Sequence, residues 1–400
     1  MRDTIRGLNV RFPLRAVGTD AQCRRFPLAG VAWSSNNPAV ATIDGTGEVV
    51  TKGAGRAEIS VSVAGVTRRW TMEAVGQRRL RVDPFLATPA AGAQWELPVV
   101  VIAYMPTADG VTIDVRKFPD FWFLGPFSLD TMEQRLLDYA RRMKMGREQG
   151  SRFRRYANQA TLPSLGFRVV DYIVVYDHIP PSTKRANAPA QGNPRYPDYH
   201  RVFGDLQLLP KMRSERIKEV WVAGSGFDAA FPSHDPKLRD NADFCVDWES
   251  NMSSPVTGDV SNSDRDNTDL PIIEHTYTVY GIPTRRTQAQ APHVVGHQME
   301  AIMGYAAHGQ DGNDRFFWRD FVGLSPSGAF ITGRTGWTHM PPNTTDHYDY
   351  HNATVVQFDI EDWTPNNSGQ KKPRSRTTWC SLNYPWPGDQ AFFQKEEAQW

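Results

Sequence analysis

The segment Pro292-His293-Val294-Val295-Gly296-His297-Gln298-Met299-Glu300 has the residue types and spacing best suited to chemistry. Pro292 suits the first turn of a helix. At about 100° per residue, His297 lies about 40° from His293, Glu300 about 20° to the other side, and His308 about 60° away. Two imidazoles at i and i+4 can ligate one metal from one helix face, so zinc or another divalent transition metal is the expected cofactor. Glu300 is then the third ligand or an acid–base group. Val294 follows His293 where the HExxH arrangement places its water-activating Glu, so that arrangement is absent. The same face also fits a purely structural role, with both imidazoles satisfied inside the fold. Val294, Val295, Met299, Ile302 and Met303 fall on the opposite side of the wheel.

Other groups could join that helix. Glu249, in Asp247-Trp248-Glu249-Ser250-Asn251, follows a strand and a Gly-rich loop and is the expected partner of the histidines. The stretch from Gly333 to His351 mixes Arg, His, Asp and aromatics without apolar periodicity; Arg334 and His339 are expected there as substrate or transition-state contacts. Asp264, Asp266 and Asp269 offer hard oxygens that suit calcium, without the glycine and terminal Glu of an EF-hand, and a solvated loop is the simpler explanation of them. Ser225, in Gly224-Ser225-Gly226, does not sit in the GxSxG elbow of a serine hydrolase.

All ten histidines lie between His178 and His351, which places imidazole chemistry in the second half of the chain. Lys plus Arg number 45 against 44 for Asp plus Glu, so net charge supplies no attraction for nucleic acid. No stretch reaches the roughly 18 apolar residues of a membrane span. No signal peptide is expected at Met1-Arg2-Asp3-Thr4. The three cysteines, Cys23, Cys245 and Cys380, share no metal-binding spacing. Cys245 and Cys380 are either one disulfide or, with Cys23, buried thiols.

The elements that must position these groups alternate strand and helix. Leu97–Tyr104, Phe167–Tyr176, Ile217–Val222 and Thr276–Tyr280 read as strands. Ser128–Arg147 reads as a helix capped by Ser128 or Asp130, and a short helix is expected over Tyr199–Leu209. This order predicts an α/β domain with a mixed sheet over residues 96–400. Ligands of such sheets sit beyond the strand C-termini, here after Tyr104, Tyr176, Val222 and Tyr280. From Asp311 onward the composition is aromatic and loop-like.

Residues 1–78 read differently. Short alternating runs broken by Gly, Asn and Asp predict a β-sandwich, followed by a linker over 79–95. Trp33-Ser34-Ser35-Asn36-Asn37-Pro38-Ala39-Val40-Ala41-Thr42-Ile43, Gly47-Glu48-Val49-Val50-Thr51 and Gly53-Ala54-Gly55-Arg56-Ala57-Glu58-Ile59 resemble the bacterial immunoglobulin-like group 2 domain over residues 8–75. The resemblance implies an Ig-like sandwich and an extracellular, cell-surface or virion setting, with no catalytic residues. Ile217–Trp386 resembles uncharacterised secreted proteins of bacteria and fungi through Trp248-Glu249-Ser250-Asn251-Met252, Gly296-His297-Gln298-Met299-Glu300 and Gly336-Trp337-Thr338-His339-Met340-Pro341-Pro342-Asn343. That likeness brings no activity with it. The expectation is an extracellular metal-dependent hydrolase of polysaccharide or peptide. The alternative is a non-catalytic surface, adhesive or virion protein whose aromatic loops bind a polymeric or surface ligand.

Overall fold

The computed structural model describes residues 4–114, 127–152, 161–180, 197–224, 250–261, 268–282, 290–311 and 315–334, with 336, 343, 345, 352, 354–358 and 368–374 further on. Within 290–311, the side chains of 290–293 and 310–311 lie outside that set.

The first 75 residues carry β1 (Thr4–Arg6), β2 (Arg11–Pro13), β3 (Val17–Thr19), β4 (Arg25–Pro27), β5 (Ala32–Ser35), β6 (Ala41–Ile43), β7 (Glu48–Thr51), β8 (Gly55–Val63) and β9 (Val66–Val75). One sheet runs β1-β9-β8-β5 and a second β2-β7-β6, while β3 and β4 pair as a separate hairpin. Alternate residues of β8 and β9, Ala57, Ile59, Met72 and Ala74, turn inward and meet Ala41 and Val49 of the second sheet. The turn between β6 and β7 is set by Asp44, whose carboxylate accepts the N–H groups of Thr46 and Glu48. Gly47 closes it at φ 88°, where an added Cβ would lie 2.5 Å from the Leu14 carbonyl oxygen. The short alternating runs expected of this region form strands, β5 to β9 falling between Ala32 and Val75.

The remaining elements are β10 (Gln77–Leu80), α1 (Pro84–Ala87), β11 (Trp95–Tyr104), α2 (Leu129–Gly150), β12 (Leu165–Val175), α3 (Tyr199–Asp205), α4 (Leu208–Ser214), β13 (Glu219–Ala223), β14 (Ser250–Ser253), β15 (Tyr277–Ile282), α5 (Gln290–Asp311), a π-helix (Arg315–Val322), β16 (Val356–Phe358) and β17 (Lys372–Arg374). Among the described residues, six strands form one mixed sheet in the order β10-β12-β11-β13-β15-β14. The inner four are parallel, and β10 and β14 are antiparallel edges. The stretch expected as a linker thus contributes part of an edge strand and a one-turn helix, with Leu86 fully buried against the sheet core.

Both sheet faces are covered, so the central strand is apolar from Leu97 to Tyr104. Val99, Val101, Ala103 and Met105 point into the core beneath α2 and the start of α5. Val100, Ile102 and Tyr104 point into the core beneath α3 and α4. Ser128 caps α2, its hydroxyl accepting the Thr131 N–H at 3.0 Å. At the N-terminal end of the strands, Arg147 of α2 forms a two-pronged pair with Glu219 of β13, which also accepts Trp221 Nε1–H at 2.7 Å. Lys144 pairs with Glu148, whose Oε1 accepts the N–H groups of Phe167 and Ala90. These buried bonds tie α2, α1 and the strand starts together and leave the opposite strand ends for ligands.

Candidate functional site

Two carboxylate–imidazole pairs stand out among the described residues. The first is on α5. His297 Nδ1 lies 3.0 Å from Glu300 Oε2, with the imidazole buried and the carboxylate partly exposed. The helix itself forms as its spacing predicts. Val294 and Val295 lock its first turns onto the sheet core, and Gln298 reaches across to the edge strand region, Nε2 donating to the Val260 carbonyl at 2.7 Å. His297 therefore stands on the flank of the sheet beside β14, about 10 Å along the axis from the first helical residue.

This helix does not present one constant face. Val294, Val295, His297 and Gln298 are buried in its first half, and Ala307 packs with Phe317 and Val322 of the π-helix in its second. Met299 and Ile302, on the side of the wheel opposite the histidines, are 48% and 42% exposed, and Tyr305 joins them. The cause is a change of partner halfway along, which rotates the buried arc.

The second pair lies at the C-terminal end of β12. His178 Nδ1 is 2.7 Å from Asp177 Oδ1, which also accepts the His178 N–H at 2.8 Å. Sequence reasoning placed a ligand-bordering loop here without singling out these two residues. The available signal was their position, as the first acid and first histidine beyond a buried parallel strand. From β12 to β14 the sheet crosses four strand spacings, about 19 Å, so the two imidazoles cannot share one metal.

Between them lies the point where the sheet's order reverses. The chain passes from β11 to β12 on one side, then back across to β13 on the other. At their C-terminal ends Gly224 has φ 126°, and an added Cβ would sit 2.8 Å from the Tyr104 carbonyl oxygen. Tyr104 is buried, and desolvation, reinforced by the negative Asp205 and Asp177, raises its phenol so that it stays protonated as a hydrogen-bond donor. Sheets of this construction bind ligands at such a crevice.

The other expected groups fall as follows. Arg334 is buried and donates to the Asp320 carbonyl, with its Cβ stacked on Gly323, where any side chain would collide at 2.4 Å. This contact anchors the π-helix to the following loop. His293 is helical, and its side chain lies outside the described residues. Glu249, His339, Asp264, Asp266, Cys245 and Cys380 also lie outside them. Asp269 is described, and Cys23 is an exposed free thiol. Among the described residues no three His, Cys, Asp or Glu side chains converge as a ready metal cluster. No described helix is long and apolar enough to cross a membrane.

No protein-family model and no curated protein matches the chain. Among solved structures, the chain is similar to the crystal structure of an EHEC O157:H7 intimin mutant, at 18% identity and a TM-score of 0.15, covering 22% of this chain and 42% of that one. The chain thus spans under half the length of that structure, and a TM-score so low carries no argument about activity or partners.

Proposed function

We propose that the larger domain is an extracellular metal-dependent hydrolase whose metal is held on α5. The observation that carries the reading is the His297–Glu300 pair. A carboxylate accepting from Nδ1–H favours the tautomer that carries its lone pair on Nε2, the usual arrangement behind a metal-ligating histidine. Glu300 is then the orienting partner of His297, and His293, one turn earlier, is the ligand expected beside it. The metal would polarise the scissile group and lower the pKa of a bound water, and polysaccharide or peptide is the proposed substrate class. The N-terminal sandwich supports the extracellular setting through its resemblance to bacterial Ig-like group 2 domains.

The test is the metal content of the purified protein and of His297→Ala. Near-stoichiometric zinc or another divalent transition metal in the parent, lost in the variant while the fold is retained, supports the reading. Metal-free parent protein after growth with added zinc removes it.

One observation favours a second, non-catalytic reading. Met299, Ile302, Tyr305 and Phe316 leave an exposed apolar surface along α5 and the π-helix. Such surfaces mark contact sites, and this one suits a surface or virion protein that assembles through it. Self-association that disappears in Ile302→Glu, in metal-free protein, would favour this reading over the hydrolase.

A further inference from the structure

The N-terminal sandwich sits where a spacer would not. Its first residues run across the C-terminal ends of β11 and β12, the side of the sheet on which ligands of this architecture bind. Arg6 pairs with Asp130 at the start of α2, and its guanidinium lies 5.9 Å from the centre of the Tyr176 ring. The Arg11 N–H donates to the Ala108 carbonyl at 3.2 Å, and the Tyr176 N–H to the Gly76 carbonyl at 2.9 Å.

The approach is close enough to require glycine on both sides. Gly7 has φ 100°, and an added Cβ would lie 2.7 Å from Thr107 Cγ2. Gly110 has φ 70°, and its added Cβ would lie 2.9 Å from the Arg6 carbonyl oxygen. Two backbones therefore touch between the module and the loop that leaves β11. That loop carries two buried polar residues, Thr107 and Asp114, at the end of the central strand. It also has its own knot. Asp109 accepts the N–H groups of Val111 and Thr112 and both threonine hydroxyls, of Thr107 and Thr112.

We propose that the sandwich is a fixed wall of the larger domain's ligand edge, with residues 5–11 clamping the 105–114 loop in its working shape. A ligand at the crevice between β11 and β13 is then bounded by the module on its β12 side. The inference is independent of the metal reading, because it concerns who holds the loop and not what the loop helps bind.

Hydrogen exchange on the full-length chain tests it, with two variants on the module side that leave the loop's own sequence unchanged. Gly7→Val drives a side chain into Thr107, and Arg6→Ala removes the ion pair and the ring contact. Exchange of the 105–114 amides is expected to rise about tenfold in Gly7→Val and a few-fold in Arg6→Ala, with the 140–150 amides of α2 unchanged. The same result with the 55–75 amides also loosened still supports the clamp, because the larger domain is then intact without its wall. Unchanged 105–114 exchange in both variants overturns it, since the Asp109 knot would suffice alone. Loosening of 140–150 in parallel also overturns it, because the module would be a general stabiliser of the whole domain.

Discussion

Replacing Glu219 with Ala tests how the sheet is held at its N-terminal end. In the folded protein both carboxylate oxygens take Arg147, and Oε2 also takes Trp221 Nε1–H. The two side chains are 10% and 8% exposed, so water cannot replace what is removed. For Arg147, burial works against the charged form, but the attraction and hydrogen bonds of Glu219 outweigh it and hold the guanidinium above its ordinary pKa. Without Glu219 that charge stays buried and unpaired, which costs about 3–5 kcal/mol. The orphaned indole N–H adds a further penalty of about 1–3 kcal/mol that overlaps with the first. A net loss of about 4 kcal/mol is expected, roughly a thousandfold in the folded-to-unfolded ratio. The assay is urea denaturation followed by far-ultraviolet circular dichroism, with a lower midpoint and an unchanged slope. The paired change Arg147→Met with Glu219→Leu should recover most of the loss, because it removes the buried charge along with its partner. A loss below about 1 kcal/mol in the single variant, or a double variant as weak as the single one, would refute the reasoning.

Three further outcomes follow from particular contacts. Gly224→Ala forces a Cβ against the Tyr104 backbone at a φ that side chains rarely adopt, so a loss of about 1–3 kcal/mol is expected in the same denaturation assay. The Asp109 carboxyl sits below its ordinary value: burial pushes it up, and hydrogen bonds from Thr112, Val111 and Thr107 pull it down further. Its folded pKa is depressed, so its contribution is present above the unfolded value near 3.8 and is lost as pH falls through the folded one. Exchange of the 105–114 amides, corrected for intrinsic rate, should therefore begin to rise only below about pH 4, and a rise near pH 6 would point to another group. Glu300→Gln keeps the side chain's shape and removes its charge, so zinc affinity by competition with a chelator should fall about 10- to 100-fold, with near-wild-type affinity counting against an orienting role.

How much of this was legible in the sequence depends on where the burial comes from. Residues 97–104 of β11 and 172–175 of β12 are apolar on both faces, and α2 carries its cap and its inward stripe at helical spacing; their own residues determine them. β14 reads Ser-Asn-Met-Ser and looks like a loop, yet every residue of it is buried. Its pairing with β15 and its cover by Gln298 are supplied from elsewhere in the chain. β10 is short and basic, and it is a strand because β12 offers an edge. The i, i+4 spacing of His293 and His297 correctly predicted a helix, but periodicity could not show that α5 changes partners midway and exposes Met299 and Ile302. Arg334 lies in a mixed polar loop, and its burial depends on Gly323, whose missing side chain makes room for its stem.

The central claim is that His297 ligates a metal through Nε2 while Glu300 holds Nδ1. Anomalous diffraction from crystals of the full chain, collected on both sides of the zinc absorption edge, addresses that claim most directly. The account predicts one strong anomalous peak about 2.0–2.1 Å from His297 Nε2, with His293 as a second ligand. A featureless anomalous map in zinc-supplemented crystals, or a metal bound elsewhere with His297 Nε2 hydrogen-bonded to protein, would contradict it.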